Sequence, residues 1–173
     1  MLTLLLAGCA AQPEFQRPDP AQTADARERL AEAAERGPVR LEVIGAPSGF
    51  TADQIASLAA EGVPALDVRF AADGPPAPRL VLAFGKTAPE LVCAGRVNEA
   101  EPTSPARLTA AFCDERGLIA GVTGRAGGPN VTDTRRLIWR TTARLFPDNY
   151  AETYGFNLFG NRIRLGLGGS FGF

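Results

Sequence analysis

The stretch ARLTAAFCDERGLIAGVT, residues 106–123, decides the fold. Two apolar runs, 106–113 and 118–123, flank Asp114-Glu115-Arg116-Gly117, and a polar quartet ending in glycine between such runs predicts a hairpin turn. Reading back along the chain, RLVLAFG at 79–85 is apolar on both faces, which places it centrally in a sheet. Val39, Leu41 and Val43 alternate with Arg40 and Glu42, the period of a strand with one buried face. LDVRFA at 66–71 and LVCAG at 91–95 read as two further strands.

Two helices accompany these strands. Thr51 and Gln54 have the spacing of a capping box, and Phe50 and Ile55 that of the hydrophobic staple around it. Ile55 and Leu58 supply the inner face and Gly62 the stop. A last helix is expected from Thr132 or Asp133 to Phe146, with Leu137, Ile138, Thr141, Thr142, Leu145 and Phe146 on one face and Pro147 ending it. Strand, helix, several strands, helix describes an α+β fold over residues 38–148. The expected form is a two-layer sandwich, a mainly antiparallel sheet with both helices on one face.

The segment before this domain divides in two. Residues 10–22 carry three prolines and few apolar groups, as an extended spacer does. Residues 23–36 then read as a polar helix, with Thr23 as N-cap and Gly37 and Pro38 as the stop. Leu30 is its only large apolar side chain, so loose docking or a stalk is expected.

Chemistry is constrained by what the composition lacks. The 173 residues carry a net charge of −1, with no acidic or basic block and no histidine. That gives no electrostatic footprint for nucleic acid, and beyond the first ten residues no apolar segment is long enough to cross a bilayer. Lys86 is the single lysine among 18 basic residues, a bias we attribute to a GC-rich genome. Without histidine there is no Ser-His-Asp or Cys-His arrangement and no imidazole metal site. Ser48, Ser57, Ser104 and Ser170 lie in neither a GxSxG elbow nor an SxxK motif. Glu99 with Glu101, or Asp114 with Glu115, are candidate acid pairs, but both fall in expected loops or turns. Gly124-Arg125-Ala126-Gly127-Gly128 precedes a helix start and invites an anion, yet lacks the lysine and serine or threonine of a phosphate loop. No catalytic residue, metal ligand or cofactor site is assigned.

The first ten residues carry an address. Leu4, Leu5 and Leu6 run through Ala7 and Gly8 into Cys9, and Leu6-Ala7-Gly8-Cys9 resembles the lipobox of bacterial lipoproteins. The resemblance implies acylation of Cys9, typically with palmitate, and two or more chains hold a protein firmly on a membrane. Ala10 is not the aspartate that often retains such proteins at the inner membrane, so the outer membrane, periplasmic face, is the expected location. Only eight uncharged residues precede Cys9, short of a full leader, which makes Met1 suspect as the natural start. The expected organisation is therefore a leader remnant at 1–8, a lipidated tether at 9–22, a helix at 23–37, the domain at 38–148 and a tail at 149–173. Gly37-Pro38-Val39, Leu91 to Gly95, Ala110 to Cys113 and Leu145-Phe146-Pro147 together resemble uncharacterised alphaproteobacterial envelope lipoproteins. In architecture the domain looks like lipopolysaccharide-assembly and transport-auxiliary lipoproteins.

With Cys9 assigned to lipid, Cys93 and Cys113 remain as a pair. In an oxidising compartment a structural disulfide is the simplest reading, worth about 3 kcal/mol for a loop of about twenty residues. Redox or metal chemistry is the alternative, and the absence of histidine and of a CxxC motif weighs against it. The tail offers a second hairpin. A Gly160-Asn161 turn sets Tyr154, Phe156, Leu158, Ile163, Leu165 and Leu167 on one face and Asn157, Arg162 and Arg164 on the other. That apolar face packs either on the domain or on a partner. A terminal alternation ending at Phe173 is also seen in barrel strands, but one strand closes no barrel.

Three functions stay open at this level. A non-enzymatic accessory protein binding an unknown envelope partner is preferred, ahead of a small-molecule or lipid carrier and of an enzyme. A carrier needs an apolar cavity between helices and sheet, and an enzyme needs convergent polar groups in a cleft.

Overall fold

The structure is a computed structural model that describes residues 13–97 and 106–148. In chain order it holds β1 (Glu14–Phe15), α1 (Pro20–Arg36), β2 (Val39–Ile44), α2 (Ala52–Glu61) and β3 (Phe70–Ala71). These are followed by β4 (Arg79–Phe84), α3 (Pro89–Cys93), β5 (Arg107–Asp114), β6 (Gly117–Arg125) and α4 (Val131–Leu145). The fold is α+β, as read.

The hairpin at 106–123 forms β5 and β6, whose register runs from Arg107 opposite Arg125 to Asp114 opposite Gly117. The Asp114 carboxylate accepts the N–H groups of Arg116 and Gly117 at 2.7 and 3.1 Å, and Gly117 takes the positive φ that closes so short a loop. The six strands lie in the order β1-β6-β5-β4-β2-β3. The first four pair antiparallel, whereas β2 is parallel to both β4 and β3. The sheet is thus mixed. Helix α2 supplies the crossover that a parallel β2–β3 pair needs.

Two expected strands change identity. LVCAG at 91–95 enters α3 instead, because Pro89 pre-sets a helical φ and both edges of β4 are already taken by β5 and β2. LDVRFA at 66–71 pairs only through Phe70 and Ala71; Val68 turns its N–H onto the Leu66 carbonyl, so that donor is spent locally. The run expected as a spacer contains β1 and the first turn of α1. Asp19, not Thr23, caps α1, accepting from the N–H groups of Ala21 and Gln22, with Pro20 at the first helical position. Thr23 sits one turn in and bonds the Pro20 carbonyl.

Helix α1 is not a stalk. Thr23, Ala26, Leu30 and Ala33 recur at helical spacing and are buried, so small side chains bring its backbone close to the sheet. Arg29 bridges to Asp114 at 3.0 Å, and Arg27 holds Asp148 at 2.8 Å and the Phe146 carbonyl at 3.2 Å. Three long helices, rather than two, therefore share one face with the core. Leu30, Ile55, Leu137, Ile138 and Leu145 meet Leu41, Leu80, Leu82, Leu108 and Phe112 there. Phe112 and Phe146 pack edge to face at 5.1 Å. Gly62 lets α2 and α4 touch, since a Cβ there would lie 2.7 Å from the Trp139 carbonyl. The expected tail hairpin lies outside the described residues.

Candidate functional site

The opposite face of the sheet is built differently. Its side chains come from alternate positions: Val81 and Ala83 on β4, Arg107, Thr109, Ala111 and Cys113 on β5, and Leu118, Gly121 and Thr123 on β6. Among the described residues only α3 covers it, through Val92 packed on Val81, Ala83, Ala111 and Cys113. Five residues make little more than one helical turn, and Ala88 offers no side-chain cap. The Cys93–Cys113 disulfide holds the element down, with Cα atoms 5.7 Å apart and a sequence separation of 20 between the partners. The pairing read from the sequence is present. Arg79 adds a bond to the Cys93 carbonyl at 3.1 Å.

On one side of α3 lies a charged cluster. Arg40 and Arg79 stand opposite each other in the parallel β2–β4 register, and like charges so placed repel. Glu42 lies between them, 3.0 Å from Arg40 Nε and 3.4 Å from Arg79 Nε. Both Nε atoms are buried without an aligned hydrogen bond, so Glu42 compensates them as a charge.

On the other side of α3 is an open cleft of about 580 Å³. One wall is residues 16–19, fixed where Gln16 donates its N–H to the Thr123 carbonyl at 2.9 Å and where Asp19 caps α1. The other wall is the loop from Gly85 to Ala88 with the first turn of α3, Pro89 and Glu90. Gly85 donates to the Arg107 carbonyl at 3.0 Å, and the Thr109 hydroxyl holds the Thr87 carbonyl at 2.7 Å. Pro89 rests directly on Gly121, where a Cβ would overlap the proline ring. Arg107, Leu118, Gly121 and Thr123 form the floor. Arg17, Lys86 and Arg107 bring three cations to the cleft, against the carboxylates of Asp19 and Glu90. Both walls are pinned by β5 and β6, so the cleft exists before any ligand arrives.

The remaining sequence candidates fall elsewhere. Cys9, the Glu99–Glu101 pair, Ser104, Ser170 and the tail lie outside the described residues. Asp114 is used in the hairpin turn and by Arg29. The glycine-rich run leads into α4, whose N-terminus is filled from within: Asn130 accepts the Asp133 N–H at 2.8 Å and donates to the Asp133 carboxylate at 2.7 Å. Gly128 is crowded by that same carboxylate. An anion is not needed there. Among the described residues no group of three or more His, Cys, Asp or Glu side chains is arranged for a metal ion, and no helix is long and apolar enough to cross a membrane.

The cleft escaped sequence reading because Arg17, Lys86 and Arg107 are far apart in the chain. Pro89 carries a local signal, that of a helix start, which the strand reading of 91–95 passes over.

No family model matches the chain, and no curated protein matches it. Among solved structures, a chain of a PelC dodecamer, a single-substitution variant from Paraburkholderia phytofirmans, is similar, at 18% identity over 80% of this chain and 100% of that one. Its TM-score of 0.38 is too low to support a conclusion about fold or function.

Proposed function

We propose that the protein is a lipid-anchored envelope lipoprotein, held by acyl chains on Cys9 at the periplasmic face of a bacterial outer membrane. There it acts as a non-enzymatic accessory protein that binds another envelope component. The observation that carries the reading is the Cys93–Cys113 bond, because structural disulfides form and persist in oxidising compartments. It agrees with the address suggested by Leu6-Ala7-Gly8-Cys9. The carrier alternative asks for a cavity between helices and sheet. That space is occupied by Leu30, Ile55, Leu82, Leu108 and Ile138, each without solvent exposure, which favours recognition at the surface.

Mass spectrometry of the mature protein tests the anchor. A diacylated or triacylated Cys9 at the N-terminus is expected, with release from membranes in Cys9→Ser; an unmodified Cys9 behind a retained leader would overturn it. Crosslinking in intact cells, repeated after deletion of residues 149–173, tests the partner. A solitary monomer in both cases would remove the accessory role.

A further inference from the structure

The strand β1 changes how far an anchored domain can stand from its membrane. If all of residues 10–22 were spacer, the domain could float up to about 45 Å from the acylated sulfur. Glu14 and Phe15 are instead paired to Arg125 and Gly124 of β6. Glu14 is the fifth residue after Cys9, and a fully extended chain of that length reaches at most about 18 Å. The edge of the sheet at β1 is thereby held within headgroup range, together with the cleft that begins at Gln16.

Charge at that edge is cationic. Arg17 and Lys86 are exposed at the rim of the cleft and Arg107 lies at its floor. Arg125, also exposed, stands opposite Arg107 in the β5–β6 register, and two like charges directly across a ladder reinforce one another's positive potential. The carboxylates facing the same region are Glu14, opposite Arg125, with Asp19 and Glu90. Asp19 is engaged by two helix N–H groups, and Glu90 sits in the first turn of α3. Among the described residues four cations stand against three carboxylates at this edge, and it is the one the tether directs to the lipid.

From this we infer that the Arg17–Lys86–Arg107–Arg125 edge is a membrane-docking surface for anionic phospholipids, with a headgroup phosphate seated in the cleft. The inference rests on the lipid-anchor reading. Its role is to hold the anchored domain in one orientation, with the helical face turned from the bilayer.

Binding of the unacylated Cys9→Ser chain to vesicles isolates the surface from the anchor, so failure here leaves acylation of Cys9 untouched. Sedimentation with phosphatidylglycerol–phosphatidylcholine vesicles is expected at low salt, with loss in about 0.5 M NaCl and no binding to phosphatidylcholine alone. At about 1 kcal/mol per basic residue near an anionic surface, Arg17→Ala and Lys86→Ala each weaken binding about five-fold and together about thirty-fold. Arg135→Ala, on exposed α4, leaves it unchanged. Because Lys86 is the single lysine, its acylation by an activated ester, read by peptide mapping apart from the N-terminal amine, reports occupancy at one side chain, and the vesicles are expected to slow it. Equal binding to neutral vesicles, or equal weakening by Arg135→Ala, would overturn the inference. So would saturable binding of inorganic phosphate at the same residues without vesicle binding, which would make the cleft a site for a free anion.

Discussion

The two faces of the sheet are stabilised by different physics. The face under α1, α2 and α4 is a dry core in which three helices bury leucine, isoleucine and phenylalanine against β2, β4, β5 and β6. The face under α3 has a small apolar patch, one covalent strap, and polar surface on either side of it. A broad helical layer can be secured by burial alone, since each large apolar side chain removed from water contributes about 1.5–3 kcal/mol. A five-residue helix buries too little for that and relies on a bond that burial does not supply. Among the described residues the chain therefore separates a face that secures the fold from a face that carries charge.

The comparison breaks first where burial is greatest. Leu82→Ala, at the centre of β4, is expected to lower unfolding free energy by about 2–5 kcal/mol in urea titration; a smaller loss would mean that the helical face is loosely packed. The next largest effect belongs to the strap. Cys93→Ser/Cys113→Ser is expected to cost about 3 kcal/mol on the chain-entropy estimate. Hydrogen exchange is expected to speed up at Leu91, Val92 and Ala94 while β5 and β6 amides stay protected. Acceleration spread evenly over the sheet would erase the distinction between faces. Gly121→Val drives a side chain into Pro89 and is expected to cost about 1–3 kcal/mol, with vesicle binding also weakened as the cleft wall moves. Smallest is Glu42→Gln. Its pairs with Arg40 and Arg79 are about one-third exposed on the Glu42 side, so a loss of about 0.5–1 kcal/mol is expected, shrinking with added salt.

More of the helical face than of the other is legible in the sequence. Thr51 and Gln54 form the capping box their spacing describes, with bonds of 3.2 and 2.9 Å, and Phe50 packs against the same core as Ile55. The alternation of Val39, Leu41 and Val43, and the two-sided apolarity of 79–84, reflect burial acting on each residue in turn. Cys93 and Cys113 were paired correctly because only one pairing remained once Cys9 was set aside. What stayed hidden lacks a local pattern. Strand β1 is two residues long, too short to alternate, and exists because Gly124 leaves room for the Phe15 ring. Helix α1 looked weak because alanine counts little by hydrophobicity, although Ala26 and Ala33 are what allow its close approach. Leu91-Val92-Cys93 has the composition of a strand, and only the occupied edges of β4, a tertiary fact, exclude that outcome.

The strap also ties one part of the molecule to the redox state of its surroundings. The helical face is held by burial alone, through pairings remote in the chain such as α1 on β6, α2 on α4 and β2 on β4. Helix α3 has no such support: its lasting attachment waits for an oxidant to join Cys93 to Cys113. A chain held under reducing conditions would keep its core and lack a finished cleft, since the cleft wall at Pro89 and Glu90 belongs to α3.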